Sequence, residues 1–143
     1  MSLFKVMDIA GSAMSAQSVR LNTVASNLAN ADSISSSVNQ TYKARKPVFA
    51  TMLEDAKSAN FSTMNSAVGV KVAGITESTA PALMEYSPNH PLADEKGYIY
   101  RPNVNVVEEM ADMMSASRSY QTNVQIADVA KTLLSQTLRL GKG

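Results

Sequence analysis

The sequence contains no cysteine and no tryptophan. The first absence removes disulfides, thiolate metal sites and thiol nucleophiles together, and leaves the redox compartment open. Aromatic residues are only 6% of the chain, so alanine, valine, leucine and methionine must fill most of any core. Neither sign of charge dominates: 13 Lys and Arg face 12 Asp and Glu, for a net +1. Such a chain has no strong field with which to recruit nucleic acid or an anionic membrane. No apolar run reaches the roughly 18 residues needed to cross a bilayer. The opening MSLFKVMDIAGSAMSAQ lacks the pattern of a cleavable signal, because Lys5 and Asp8 interrupt its apolar stretch. Any export is therefore expected to proceed without signal-peptide cleavage.

The parts of an enzyme are missing as well. There is one histidine, His90, in SPNHPLADEKG, with Asp94 and Glu95 close behind. A metal site usually needs at least three such ligands, and no second His or Cys exists, so the segment reads as a tight turn. Serines are plentiful, but no G-x-S-x-G elbow and no phosphate-cradling glycine loop is present. Glu108 and Glu109 are adjacent and diverge around a helix. Lys43, Arg45 and Lys46 form a small basic cluster in YKARKP without interleaved aromatics. It reads as a solvated strand face or a contact to an acidic neighbour, not as a nucleic-acid site. No cofactor, metal or catalytic residue is expected, and the chain reads as an interaction protein.

Its 143 residues suit one domain, or one small domain with extensions. All five prolines lie between Pro47 and Pro102, and both ends are nearly free of helix breakers. Three segments follow: a helical residues 1–31, an extended, β-rich 32–103 with loops, and a helical 104–143. In the first, Leu3, Met7, Ala10, Met14, Gln17, Leu21, Val24 and Leu28 alternate spacings of four and three, which predicts a helix from Leu3 to Ala29 with a coiled-coil seam. In the last, Val106, Met110, Met113, Ser117, Tyr120, Val124, Ala127, Lys131, Leu134 and Leu138 follow the same alternation and predict a helix from Val106 to Leu140. Asn105 and Glu108 have capping-box spacing. Glu108, Glu109 and Asp112 complement the positive end of that helix's dipole, and Lys131, Arg139 and Lys142 the negative end, with Gly141 as a stop.

Both helices are also apolar off the seam. Ile9 and Val19 lie outside it on the first; Val107, Met114, Ile126, Val129, Leu133 and Leu140 flank or oppose it on the second. A helix apolar beyond one stripe wants neighbours on more than one side. The nine methionines, among them Met7, Met14, Met110, Met113 and Met114, suit irregular packing against non-identical surfaces, and suit an ordinary core equally well. The expected fold is mainly α with a small β-rich middle. Its long terminal helices pair as an antiparallel coiled-coil hairpin that forms part of a larger helical assembly. A four-helix bundle made by a dimer fits the periodicity too. Within the middle, Val68, Val70 and Val72 predict one strand, Tyr98 and Tyr100 around Ile99 a second, and residues 82–86 a partner for one of them. Residues 42–49 read as extended, 50–57 as a short helix, and 33–40 and 58–67 as loops.

Beyond periodicity, SAMSAQSVRLNTVASNLANADS (residues 12–33) resembles the N-terminal signature helix of flagellar axial proteins. YKARKPVF (42–49) resembles the segment that follows it. PNHPLADEKGYIYRPNVNVVEEMADMMSASRSYQTNVQIADVAKTLL (88–134) is similar to the proximal-rod branch of the bacterial flagellar basal-body rod proteins, through its HP-x-AD, GY, PNV, EEM and SRSYQ-x-N elements. These blocks cover over half the chain. The resemblance implies a structural subunit of the rod, the torque-transmitting shaft across the periplasm, passed through the flagellar type III export apparatus. It implies copies of the chain itself, the rod proteins FlgB, FlgF and FlgG, and the adaptor FliE as partners. A soluble oligomeric coiled-coil adaptor, or another secretion-system component, is the alternative on the same fold. Because each seam would be buried on one side only, the termini of an isolated subunit are expected to order on assembly.

The residues expected at subunit interfaces are Met7, Met14, Leu21, Val24, Asn27, Leu28 and Asn30 on the first helix. On the second they are Met110, Met113, Tyr120, Val124, Leu134 and Leu138. Two of them stand out in VASNLANAD (24–32), because asparagine is a poor helix former. Asn27 flanks the seam and is expected to fix the register of the terminal helices or of a neighbour through a hydrogen-bond demand. Asn30 is expected to stop the helix, by a left-handed turn, and to touch the next subunit.

Overall fold

A computed structural model describes residues 3–53 and 67–141. Helix α1 (Leu3–Ala29) is followed by a single 3-10 turn (Val38–Gln40) and strands β1 (Arg45–Leu53), β2 (Ala67–Glu77), β3 (Leu83–Tyr86) and β4 (Tyr98–Arg101). Helix α2 (Val106–Leu140) closes the chain. The strands form two two-stranded sheets, β1–β2 and β3–β4. Both helices, β2 and the β3–β4 pair lie where the residue patterns put them. Residues 50–53 do not: they continue β1. Val48, Phe49 and Thr51 favour the extended form once β2 is there to pair with, whatever helix tendency Ala50 and Met52 carry. Residues 54–57 of the expected helix and 58–66 of the expected loop lie outside the described residues, as does Lys142 at the basic helix end.

The chain forms two compact units, through which both helices run. One comprises 3–19, 48–53, 67–74 and 116–141; the other 20–47 and 75–115. In the first, Leu3 and Val6 of α1 face Ile126, Val129, Ala130 and Leu133 of α2 across an apolar groove of about 390 Å³. Strand β2 meets α1 at Gly69, where a Cβ would lie 2.5 Å from Ser12 Oγ. Ser12 Oγ donates to the Ile9 carbonyl (2.8 Å) and accepts from the Val70 N–H (3.2 Å). Gly69 also has φ +154°, a conformation L side chains rarely adopt, so glycine here serves both the backbone and the close approach.

In the second unit the end of α1 lies against the start of α2, tied by Arg20 to Asp112 at 2.6 Å. The helices are therefore antiparallel. Asn105 caps α2, its Oδ1 accepting from the Val107 and Glu108 N–H groups at 3.1 and 3.4 Å. The Glu108 carboxylate pairs with Lys46 at 3.1 Å, and this hydrogen bond and charge raise the Lys46 pKa. Strands β3 and β4 pair antiparallel, Leu83 with Arg101 through Tyr86 with Tyr98. On its other side β4 bridges to Ser35 through Tyr100.

The α2 seam departs from the heptad expectation at half of its positions. Met113, Ser117, Val124, Ala127 and Leu134 are half-buried as expected, but Tyr120 is exposed, and the most enclosed positions are Glu109, Ala116 and Ala130, each one residue before an expected Met110, Ser117 or Lys131. Ala116, Ala130 and Glu109 are buried, whereas Val106, Met110, Lys131 and Leu138 are exposed. The reason is steric. Small alanines let the helices close on each other, while a search for large apolar side chains selects the residues just beside them. On α1 the expected row holds: Ala10 and Val24 are buried, and Met7, Met14, Gln17, Leu21 and Leu28 are half-buried. Ile9 and Val19, expected on an outer face, are half-buried too.

Candidate assembly interface

Asn27 is the most enclosed large side chain among the described residues, at 0% exposure. Its Oδ1 accepts from the Arg45 N–H (2.9 Å) and the Tyr42 hydroxyl (2.9 Å), and its Nδ2 donates to the Arg45 carbonyl (2.8 Å). These partners belong to the segment entering β1, not to α2. The expectation that Asn27 sets helix register is thus corrected: its amide holds β1 against α1. A polar group this buried must be satisfied, and the nearest unpaired backbone is the strand edge. Burial pushes the Tyr42 phenol above its usual pKa, with the Arg45 guanidinium, 5.7 Å from the ring centre, pulling the other way. Asn30 ends α1 as expected, but by donating its Nδ2 to the Ser26 carbonyl at 2.8 Å. No non-glycine residue among those described has positive φ, so the left-handed stop does not occur.

Arg101 joins Asp32 (2.7 Å) and Glu85 (3.5 Å), and Arg45 joins Glu77 (3.4 Å). These pairs are solvent-exposed, and such pairs contribute about 0–1 kcal/mol each. His90 lies in a turn, its Nδ1 accepting from the Leu92 N–H at 3.1 Å. Asp94 organises the same turn. One carboxylate oxygen accepts from the Lys96 and Tyr98 N–H groups (2.9 and 2.8 Å), and the other from the Tyr100 hydroxyl (3.0 Å). The Tyr98 backbone bond leads in holding the Asp94 pKa below its ordinary value, and the bond to Asp94 raises that of Tyr100. A depressed carboxylate pKa contributes stability above the unfolded value and loses it as pH falls through the folded one. The stability difference between wild type and Asp94→Ala is therefore expected to be constant from about pH 5 to 8 and to shrink below about pH 4. Urea titrations followed by tyrosine fluorescence measure it; a difference that grows on acidification contradicts the assignment.

What remains is a large uncovered apolar surface on α2. Val107 (76% exposed), Met110 and Met114 occupy one part; Ile126, Val129 (59%), Leu133 (47%) and Leu140 (83%) another. Exposed apolar side chains grouped in this way on one helix face are a common mark of interaction sites. Met110, Tyr120 and Leu138, expected at interfaces, are exposed; Met7, Met14, Leu21, Val24, Leu28, Met113, Val124 and Leu134 are buried or half-buried within the chain.

Two family descriptions match the two helices. "Flagella basal body rod protein" covers residues 7–33, and "Flagellar basal body rod FlgEFG protein C-terminal" covers 95–140. Curated relatives extend over nearly the whole chain. The flagellar basal-body rod protein FlgC of Escherichia coli O6:H1 is 49% identical over 142 residues, 99% of this chain and all of the relative. FlgC of Salmonella typhimurium is 46% identical with the same coverage, and FlgC of Bacillus subtilis 34% identical over 152 residues. The chain belongs to the FlgC family of flagellar basal-body rod proteins. As a FlgC-family member it is a structural rod subunit of the bacterial flagellum, located in the basal body, and not an enzyme. Rod subunits associate with other basal-body proteins. The alanine row of α2 was the feature that residue-by-residue reading missed. Ala116 and Ala130, seven and twenty-one residues after Glu109, carry the signal in their spacing.

Proposed function

We propose that this FlgC-family subunit belongs to the proximal rod and assembles helically there, with copies of itself and with FlgB, FlgF, FlgG and the adaptor FliE. Residues 1–31 and 104–143 form the axial core, and 32–103 the surrounding body. The chain reaches the rod, which spans the periplasm, through the flagellar type III export apparatus. The uncovered apolar surface of α2 carries this reading: Val107, Met110, Ile126, Val129 and Leu133 lose contact with water only if other subunits cover them. Each such side chain contributes roughly 1.5–3 kcal/mol when fully buried, enough for a few of them to hold a subunit in place. Exposed Met110, Tyr120 and Leu138 are contact residues toward neighbours. Deleting the encoding sequence and imaging basal bodies tests the proposal. The expected result is truncated basal bodies without a rod and loss of motility; intact, motile flagella would refute it.

A further inference from the structure

We infer that Asn27 is a positioning residue that also guards the open edge of β1 against pairing with a second copy of this chain. A strand residue presents its N–H and C=O on the same side. At Arg45 both groups face away from β2. The neighbouring Ala44 carbonyl takes the Ser78 N–H (2.7 Å), and the Lys46 carbonyl takes the Thr76 hydroxyl (3.2 Å), so these flanking residues face β2. Arg45 is thus the first rung of the free edge. The Asn27 carboxamide supplies what a neighbouring peptide would, one acceptor and one donor, at 2.9 and 2.8 Å. The Tyr42 hydroxyl takes a further lone pair of Oδ1 and fixes which way the amide faces. The next outward residue, Pro47, has no N–H to offer. Two successive rungs are therefore closed by different means, and unpaired edges with both groups free are templates for another chain. Aspartate lacks the donor and serine supplies only one group, so among short side chains asparagine alone fills both roles.

The test compares the purified full chain with Asn27→Ala and with Asn27→Ala/Arg45→Pro, in which the freed rung has lost its N–H. In Asn27→Ala the Arg45 amide is expected to exchange about tenfold faster or more. Helical circular dichroism is retained, and thioflavin-positive oligomers appear at concentrations where the wild type shows none. The double variant keeps the helix signal without forming those oligomers. Should the alanine variant lose its helix, Asn27→Leu, which removes both bonds to Arg45 while filling the same space with a better helix former, replaces it in the same comparison. The inference is overturned if the single variant associates no more than wild type, or if the double variant forms the same thioflavin-positive species.

Discussion

Changing Val129 and Leu133 together to glutamate is expected to abolish rod incorporation and swimming while leaving the subunit folded. Both side chains lie on the open face of α2, 59% and 47% exposed, beside Ile126 and the groove shared with Leu3 and Val6. Surface substitutions of this kind change stability by about 0.5 kcal/mol or less each, and glutamate is a better helix former than valine. Assembly is another matter. Two side chains already about half buried would each contribute roughly 0.8–1.5 kcal/mol on full burial, and their loss weakens association about 10–150-fold. Two carboxylates buried without partners weaken it further. Complementation of a deletion strain on swim plates, beside urea unfolding of the purified variant, separates the two effects. Normal swimming contradicts the surface assignment, and an unfolded variant would show that these side chains serve the subunit's own core.

Ala116→Phe is expected to destabilise the subunit by about 3 kcal/mol or more, at the upper end of overpacking effects. Ala116 is at 0% exposure on α2, and a ring there must displace the atoms that enclose it. The same change at Ala111, exposed on the same helix, serves as the control and is expected to stay within about 0.5 kcal/mol. Chemical unfolding followed by circular dichroism gives both values. Equal effects at the two positions would contradict the alanine seam and return the seam to Met110 and Ser117.

The two long helices were legible because their limits are written in local chemistry: heptad spacing, the Asn105 cap, and no proline at either end. Strands β2 and β4 were legible for the same reason, in short alternating runs, the second beside Gly97, and β3 only as a partner for one of them. The α2 seam was half legible. Large side chains announce themselves in a heptad, whereas Ala116 and Ala130 gain their importance only from how closely another helix approaches. The role of Asn27 lay further from the sequence. Its three hydrogen bonds reach residues 15 and 18 positions away, and no spacing rule joins a helix amide to a strand edge. The end of β1 at 50–53 was misread because strand pairing with β2, a non-local interaction, outweighs local tendency. The uncovered face of α2 was foreseen as excess apolarity, and the exposures of Val107, Met114, Ile126, Val129, Leu133 and Leu140 match that expectation.

Because the chain has no cysteine, one introduced at Val129 is a unique chemical probe of whether neighbouring subunits cover α2. Maleimide labelling of Val129→Cys, first in the free subunit and then in purified basal bodies, is the most direct measurement. The expected result is rapid labelling of the free subunit, protection in the intact basal body, and renewed labelling once the basal body is dissociated. Equal rates in the free and assembled states would show that this face stays open in the rod, and would contradict the account.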